Sequence, residues 1–149
     1  FTEKGFGQYE VSNFARKGYE CKHNLAYWNY KDYISFGTSA HSFVNNKRWW
    51  NYSSLTLYNN CIDEKGNAVA GEEEISLEQQ IEEYVMLHLR SNGLDISKLQ
   101  NKFNSDWYKR NKNYIDKLVE ENHIRQKDKV LTLLPKGYAV CDEILSNFK

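Results

Sequence analysis

A histidine surrounded by aromatic residues is the first feature of the sequence that could carry chemistry. His23 opens the segment HNLAYW, in which Tyr27 and Trp28 follow four and five residues later. A neutral imidazole nitrogen is a natural axial ligand for heme iron, and aromatic rings offer flat apolar faces to a macrocycle. An isolated histidine is more often a hydrogen-bonded structural residue. The residues alone therefore leave a ligand role and a structural role open.

A loop of small residues is the second candidate site. Gly37–Ser42 has the sequence GTSAHS and follows Asp32–Phe36, which predicts a buried strand ending at Gly37. In an α/β barrel, the loops at the C-terminal ends of the strands form the active site. Small residues in such a loop allow the backbone to approach a ligand closely. A turn that binds no ligand is the alternative that the same residues permit.

The three cysteines do not have the spacing of a metal site. Cys21, Cys61 and Cys141 are odd in number and far apart, which argues against a disulfide framework and for a reducing compartment, here the cytoplasm. They also lack the short spacings that hold iron–sulfur centres. We expect them to be buried free thiols.

The overall composition argues against two broad classes of protein. Lys and Arg together number 20, as do Asp and Glu, so the formal net charge is zero, whereas nucleic-acid binders usually carry a basic excess. No apolar run is long enough for a membrane span. The first residue is Phe and the only Met is Met86, so we expect the chain to be a piece of a longer protein.

The first half of the chain predicts short elements rich in aromatic residues. Two predicted strands, His41–Val44 and Arg48–Tyr52, flank Asn45–Lys47, which suits a hairpin turn because Asn tolerates positive φ. Turn residues and a charge run occur together over Glu64–Glu74, which predicts a domain boundary there. Within it, Glu72–Glu74 is expected to be a solvated connector. We therefore place a domain boundary at residue 66.

The second half predicts helices with clear start signals. Ser76–Gln79 has the pattern of a capping box, and Ser91–Gly93 suits the end of the helix that follows. Asp95 and Ser105 can cap a short helix and a longer one. The helix that begins at the capping box carries an apolar stripe at helical spacing. The stripe consists of Leu77, Ile81, Val85 and Leu89.

A hairpin and a last helix complete this pattern. Ile124–Arg125 and Val130–Leu133 flank a turn at Lys127–Lys129, and Pro135 suits the first turn of a helix. The order helix, short helix, long helix, hairpin, helix is winged-helix-like. Basic residues on the long helix and hairpin could serve a winged helix that binds DNA, but interleaved carboxylates favour a solvated face. A binding module for nucleic acid or protein stays open as the alternative function.

Residues 5–42 together resemble a known family. Three signatures carry the resemblance: YEVSNFA at Tyr9–Ala15, an H-N-x-x-Y-W motif at His23–Trp28, and the small-residue loop at Gly37–Ser42. The segment is similar to the late barrel of radical S-adenosylmethionine (SAM) proteins of the oxygen-independent coproporphyrinogen III oxidase family. The H-N-x-x-Y-W motif indicates the heme-chaperone branch, and the second half is similar to the family's C-terminal helical domain.

The resemblance implies a fold and a domain organisation. We expect an α+β chain in which residues 1–66 are the last strands and helices of a partial (β/α) barrel. Residues 67–149 are expected to form a mostly helical, winged-helix-like C-terminal domain with a β-hairpin. The chain would then be the C-terminal portion of a protein of heme or porphyrin metabolism.

The resemblance also implies two sets of site residues. The heme-binding set would be His23, Asn24, Tyr27 and Trp28. The set that lies near SAM would be Gly37, Ser39, Ala40 and His41.

The same resemblance implies cofactors and partners for the parent protein. It would carry a 4Fe–4S cluster and SAM, but the C-x-x-x-C-x-x-C motif that holds such a cluster is absent from this sequence. No catalytic residue is assigned here, and the chain alone is expected to be inactive. The expected partners are heme or porphyrin, the rest of the barrel and a heme-acceptor protein. Whether the parent is an oxidase or a heme chaperone stays open, although the motif favours the chaperone.

Overall fold

The computed structural model describes residues 2–149, and these form two compact units. One unit combines the chain up to Tyr30 with Ile81–Lys149, and the other is Lys31–Gln80. We call them the terminal unit and the central unit. The domain boundary predicted at residue 66 falls inside the central unit, because the strand that follows it pairs with a strand that precedes it.

The N-terminal part of the terminal unit is short and irregular. A 3-10 turn at Thr2–Lys4 is followed by two paired antiparallel strands, β1 (Gly7–Gln8) and β2 (Phe14–Ala15). Helix α1 (Lys22–Trp28) comes next and has only seven residues. None of its residues is buried, so its own side chains do not form a core face.

The central unit is built on a three-stranded antiparallel sheet. Strands β3 (His41–Val44) and β4 (Lys47–Asn51) form the predicted hairpin, and the turn residues Asn45 and Asn46 have φ of 51° and 64°. Two consecutive positive φ values are those of a type I′ turn, which matches the twist of the strands. The hairpin prediction is therefore confirmed.

The acidic run predicted as a solvated connector is instead an edge strand. Strand β5 (Val69–Glu74) pairs with β4. Glu72 Oε1 lies 2.8 Å from Lys47 Nζ, and Glu73 Oε1 lies 3.1 Å from Arg48 Nη1. Opposite charges on facing strands stabilise such a pairing, and a charged edge discourages further strand addition.

The buried strand predicted over Asp32–Phe36 is wrong. Tyr33 forms one isolated bridge with Phe43, while Ile34 is 62% and Phe36 87% exposed. The ladder stops after this bridge because the next amide in register, that of Ser35, donates to the Ser42 hydroxyl. A five-residue segment with three apolar residues does not by itself specify a strand.

Helix α2 (Leu55–Lys65) lies between β4 and β5 in the chain. The Ser54 hydroxyl accepts the Leu57 amide at its start, and Gly66 ends it with φ 73°. None of its residues is buried, and three apolar side chains are exposed by a third or more. These are Leu55, Leu57 and Ile62.

Helix α3 (Leu77–Leu89) begins with the predicted capping box. The Ser76 amide donates to Gln79 Oε1 at 2.9 Å, and the Gln79 amide donates to Ser76 Oγ at 3.3 Å. The helix ends where the Gly93 amide, at φ 92°, bonds the His88 carbonyl. The predicted stripe is buried except at Leu77, which is 57% exposed because it lies in the first turn.

The helices and the hairpin up to residue 133 have the predicted order, with one short strand that was not predicted. Strand β6 (Leu94–Asp95) precedes helices α4 (Ile96–Phe103) and α5 (Trp107–Glu120). The hairpin of β7 (Ile124–Lys127) and β8 (Val130–Leu133) joins β6 in a three-stranded sheet of order β6-β8-β7.

The last helix was predicted as one and is found as two. Pro135 starts α6 (Pro135–Ala139) as expected, but Val140 leaves helical geometry at φ −125°, and α7 (Cys141–Ser146) follows. Ile144 in α7 lies in the core at 3% exposure.

The largest buried cluster lies within the terminal unit. It joins α3, α4 and α5 to the sheet and to α7. Its least exposed members are Leu89, Leu94, Leu99, Ile115, Ile124 and Leu131. Among residues 2–149, the helices are too short or too polar to cross a membrane.

Candidate functional site

The candidate heme ligand lies on α1 and faces solvent. His23 is the second residue of the helix, and the Leu25 amide closes the first turn onto the Cys21 carbonyl at 3.0 Å. His23 and Tyr27 are one helical turn apart and therefore lie on the same face. Both side chains are exposed, so a ligand can reach the imidazole and the ring together.

Two aromatic rings lie at the C-terminal end of α1. The Tyr27 and Trp28 ring centroids are 5.5 Å apart with their planes at 71°, an edge-to-face arrangement. Tyr27 is 45% exposed, and Trp28 and Asn24 are half-buried. The structure thus brings the four predicted heme-binding residues onto one short helix, with two of them open to solvent.

The predicted SAM-proximal loop is a tight turn whose amides form hydrogen bonds within the central unit. Gly37 and Ser39 adopt positive φ of 99° and 55°. The Gly37 amide donates to the Tyr58 hydroxyl at 3.3 Å, the Ser39 amide to the Tyr52 carbonyl at 3.1 Å, and the Ala40 amide to the Gly37 carbonyl at 3.4 Å. These three amides are therefore already engaged inside the unit, so they are poor candidates for binding a ligand.

His41 presents its ring at one face of the central sheet. The ring lies 5.9 Å from that of Trp50 with the planes at 30°. Trp50 in turn covers Gly71, where a Cβ atom would come within 2.5 Å of Trp50 Cζ2. Only glycine allows the indole to lie flat on β5, so the exposed His41 ring rests beside a fixed aromatic surface.

The two predicted sets of site residues belong to different compact units. The set on α1 is in the terminal unit, and Gly37, Ser39, Ala40 and His41 are in the central unit. Sequence reasoning assigned no role to Tyr30, which follows α1 and packs against the buried cluster of the terminal unit. No spacing signal marks Tyr30, because its contacts are with residues far along the chain.

The cysteines differ from the prediction of three buried thiols. Cys141 is buried, which raises the pKa of its thiol, but Cys61 is half-buried and Cys21 is exposed. Cys21 precedes α1 at the N-cap position and makes no capping bond through its side chain. Across residues 2–149, no three His, Cys, Asp or Glu side chains come together as a metal site. The residues present therefore do not fit a 4Fe–4S cluster.

The basic side chains of α5 are largely neutralised by carboxylates on the same helix. Arg110 Nε lies 3.3 Å from Asp106, and Lys117 Nζ lies 3.9 Å from Glu121. Lys112 also forms an ion pair with Asp116. These pairs at i,i+4 spacing are typical of a solvated helix face, and they leave little positive charge for a phosphate backbone.

A solved structure shares the fold. The chain superposes on coproporphyrinogen III oxidase (HemN) from Escherichia coli, a radical SAM enzyme, with a TM-score of 0.76 and 20% sequence identity. The match covers 99% of this chain and 38% of that one. At this identity the likeness shows that this chain has an α+β fold of the HemN type. No protein-family model matches the chain.

Sequence comparisons point to a narrower class of protein than the shared fold does. The chain is 32% identical to the heme chaperone HemW of Bacillus subtilis over 145 residues, which is 97% of this chain and 38% of that protein. It is 28% identical to HemW of Lactococcus lactis over 99% of the chain and 38% of the relative. A 43-residue stretch, 29% of the chain and 11% of the relative, is 51% identical to HemW of Escherichia coli.

These relatives confirm the predicted resemblance to a C-terminal portion of a heme-chaperone-like protein of the coproporphyrinogen oxidase type. The chain spans only 38% of the length of its relatives from Bacillus subtilis and Lactococcus lactis. This share fits the expectation that the sequence is part of a longer protein.

Proposed function

We propose that this chain is the part of a heme chaperone that holds heme, with His23 as an axial ligand of the iron. The observation that carries the proposal is the exposed His23 imidazole, one turn from the exposed Tyr27 ring on α1. Heme is the cargo in this account, and the imidazole supplies one reversible bond to its iron.

The residues of α1 fit a heme in three respects. Within residues 2–149, His23 has no hydrogen-bond, ion-pair or ring partner that would have to be displaced. Tyr27 and Trp28 offer apolar rings for the macrocycle. The exposed position suits a carrier that must release its cargo, because a ligand enclosed in a core leaves slowly.

We further propose that the loop at Gly37–His41 lies near SAM in the complete protein. Three backbone amides of this loop, those of Gly37, Ser39 and Ala40, are engaged internally, so we assign the contact to the His41 ring beside Trp50. The 4Fe–4S cluster would be held by the part of the parent that this chain does not include. The same part, as the rest of a partial barrel, would cover exposed apolar side chains such as Phe36 and Leu55.

The terminal unit is proposed to be a winged-helix-like module that contacts a heme acceptor. The order α3, β6, α4, α5, β7, β8 and the three-stranded sheet support this assignment. The intrahelical ion pairs of α5 favour a protein partner over nucleic acid.

A hemin titration followed at the Soret band tests the proposal. We expect saturable one-to-one binding by the chain. His23→Ala should lose at least about ten- to a hundredfold in affinity, because removing even an outer-shell partner of a metal ligand usually costs that much. His41→Ala is the matched control, because it removes another exposed histidine beside an aromatic ring. Cys21→Ser tests the neighbouring exposed thiol.

Two outcomes would reject His23 as the ligand. Equal hemin affinity of the unsubstituted chain and His23→Ala would mean that hemin adheres nonspecifically to exposed aromatic side chains. A loss confined to Cys21→Ser would mean that the thiolate binds the iron.

A further inference from the structure

We propose that Tyr30 is a positioning residue for the candidate heme ligand. Its ring is inserted among aromatic side chains of α3 and α4, which fixes the C-terminal end of α1 and therefore the direction of His23. This inference rests on the proposed heme-binding function and adds a residue outside the H-N-x-x-Y-W motif.

The backbone of Tyr30 is held in an unfavourable conformation. Its φ is +55°, in the left-handed region, and its amide donates to the Tyr27 carbonyl at 3.0 Å. This conformation is common for glycine and rare for a large side chain. Such strain persists only where surrounding contacts over-determine the residue, so the packing of the ring must hold it in place.

The ring of Tyr30 enters a fixed aromatic cluster. It meets Tyr84 edge-on with centroids 6.1 Å apart and planes at 79°. Tyr84 is 6% exposed, lies edge-on to Phe103 at 5.3 Å and stacks on His88 at 3.9 Å. Lys102 Nζ closes the cluster, 5.8 Å from the Tyr30 ring centroid and 5.4 Å from that of Phe103.

Helix α1 depends on an anchor of this kind. It has seven residues, none of them buried, and its N-cap makes no side-chain hydrogen bond. A helix this short is not stable on its own. Tyr30 follows α1 two residues after its last residue, so its contacts with α3 and α4 set the position of the helix on the terminal unit.

The test uses Tyr30→Gly, Tyr30→Phe and Tyr19→Ala. Glycine removes the ring while accepting the positive φ, so the backbone is not further strained. Phenylalanine keeps the ring and is the conservative rescue. Tyr19 is 82% exposed, so Tyr19→Ala controls for the loss of an aromatic ring near α1.

Two readouts separate positioning from folding. Hydrogen exchange without heme reports how often α1 opens. The amides to follow are those of Leu25 and Asn29, which donate to the Cys21 and Leu25 carbonyls. Hemin titration reports affinity and the position of the Soret band. We expect Tyr30→Gly to speed exchange in α1, to weaken hemin binding about tenfold or more and to shift the Soret band toward that of His23→Ala. Tyr30→Phe and Tyr19→Ala should match the unsubstituted chain.

The results distinguish this inference from the function on which it rests. If His23→Ala loses hemin while Tyr30→Gly keeps both the affinity and the spectrum, Tyr30 has no positioning role and His23 remains the ligand. If Tyr30→Phe behaves like Tyr30→Gly, the ring is not the anchor. If His23→Ala binds hemin normally, the heme function fails and the role of Tyr30 toward heme fails with it.

Discussion

Single side chains decide what α1 can bind. His23 and Tyr27 are exposed on the same face of a helix that contributes no buried residue, so they are available for a ligand rather than for the core. The sequence predicts a heme role for these residues through the H-N-x-x-Y-W motif and the family resemblance that it carries. Tyr30 could not be identified in this way, because its partner Tyr84 lies on a helix far along the chain.

Gly137 is a residue at which a conventional stabilising substitution should fail. Replacing a helical Gly with Ala usually stabilises by about 0.5–1 kcal/mol. In α6, however, the added Cβ would lie 2.2 Å from the His123 carbonyl oxygen and 2.9 Å from Leu133 Cδ2. We expect Gly137→Ala to lower the free energy of unfolding of the terminal unit by roughly 1–3 kcal/mol, measured by urea titration.

The matched control for this prediction is Gly7→Ala. A Cβ at Gly7 has no atom within 4 Å, so the change in the free energy of unfolding should stay within about 0.5 kcal/mol. Equal stability of Gly137→Ala and the unsubstituted chain would show that α6 can move away from His123.

The environment of His88 predicts that the stability of the terminal unit depends on pH. Burial lowers its pKa below the ordinary value of 6.5, so the folded state keeps the ring neutral where the unfolded chain takes up a proton. Stability should therefore fall as the pH drops below about 6.5, until the pH passes the folded pKa. Thermal unfolding between pH 7.5 and pH 5 measures this loss of stability. His88→Gln should reduce the slope of stability against pH.

His41→Gln serves as the comparison for His88→Gln, because His41 is exposed and lies in the central unit. In His41→Gln, the slope of terminal-unit stability against pH should equal that of the unsubstituted chain. An unchanged slope in His88→Gln would assign the pH dependence to other groups.

Secondary-structure elements with local start signals were predicted well. Asp95 caps α4 because its carboxylate reaches amides two and three residues ahead, and Asn45 and Asn46 form a turn by themselves. Elements that depend on a distant partner were not. The strand predicted at Asp32–Phe36 was wrong because its ladder stops at a side-chain hydrogen bond. The connector predicted at Glu72–Glu74 was wrong because these residues belong to a strand that needs β4 as its partner.

The cap of α4 can be tested against the start of α5. Asp95 Oδ1 accepts the Ser97 amide at 2.9 Å and the Lys98 amide at 3.1 Å. Asp106 occupies the N-cap position of α5 without such a bond. We expect Asp95→Ala to cost about 1 kcal/mol of stability and Asp106→Ala clearly less, both measured by chemical unfolding. Equal costs would contradict the assigned cap.

At the scale of the whole molecule, the chain matches only part of the length of its relatives. It spans 38% of the length of its relatives in Bacillus subtilis and Lactococcus lactis, and its central unit exposes Phe36, Ile34 and Leu55 by more than half. The proposed heme site requires only α1 and its anchor in the terminal unit, so we expect the isolated chain to bind hemin.

Pulsed electron paramagnetic resonance of the ferric hemin complex, with histidine labelled by 15N, tests the central claim most directly. The iron is expected to show a 15N coupling from one axial imidazole, distinct from the 14N couplings of the unlabelled porphyrin. This coupling should disappear in His23→Ala and persist in His41→Ala. A 15N coupling that survives in His23→Ala, or that is absent from the unsubstituted complex, would contradict His23 as the heme ligand.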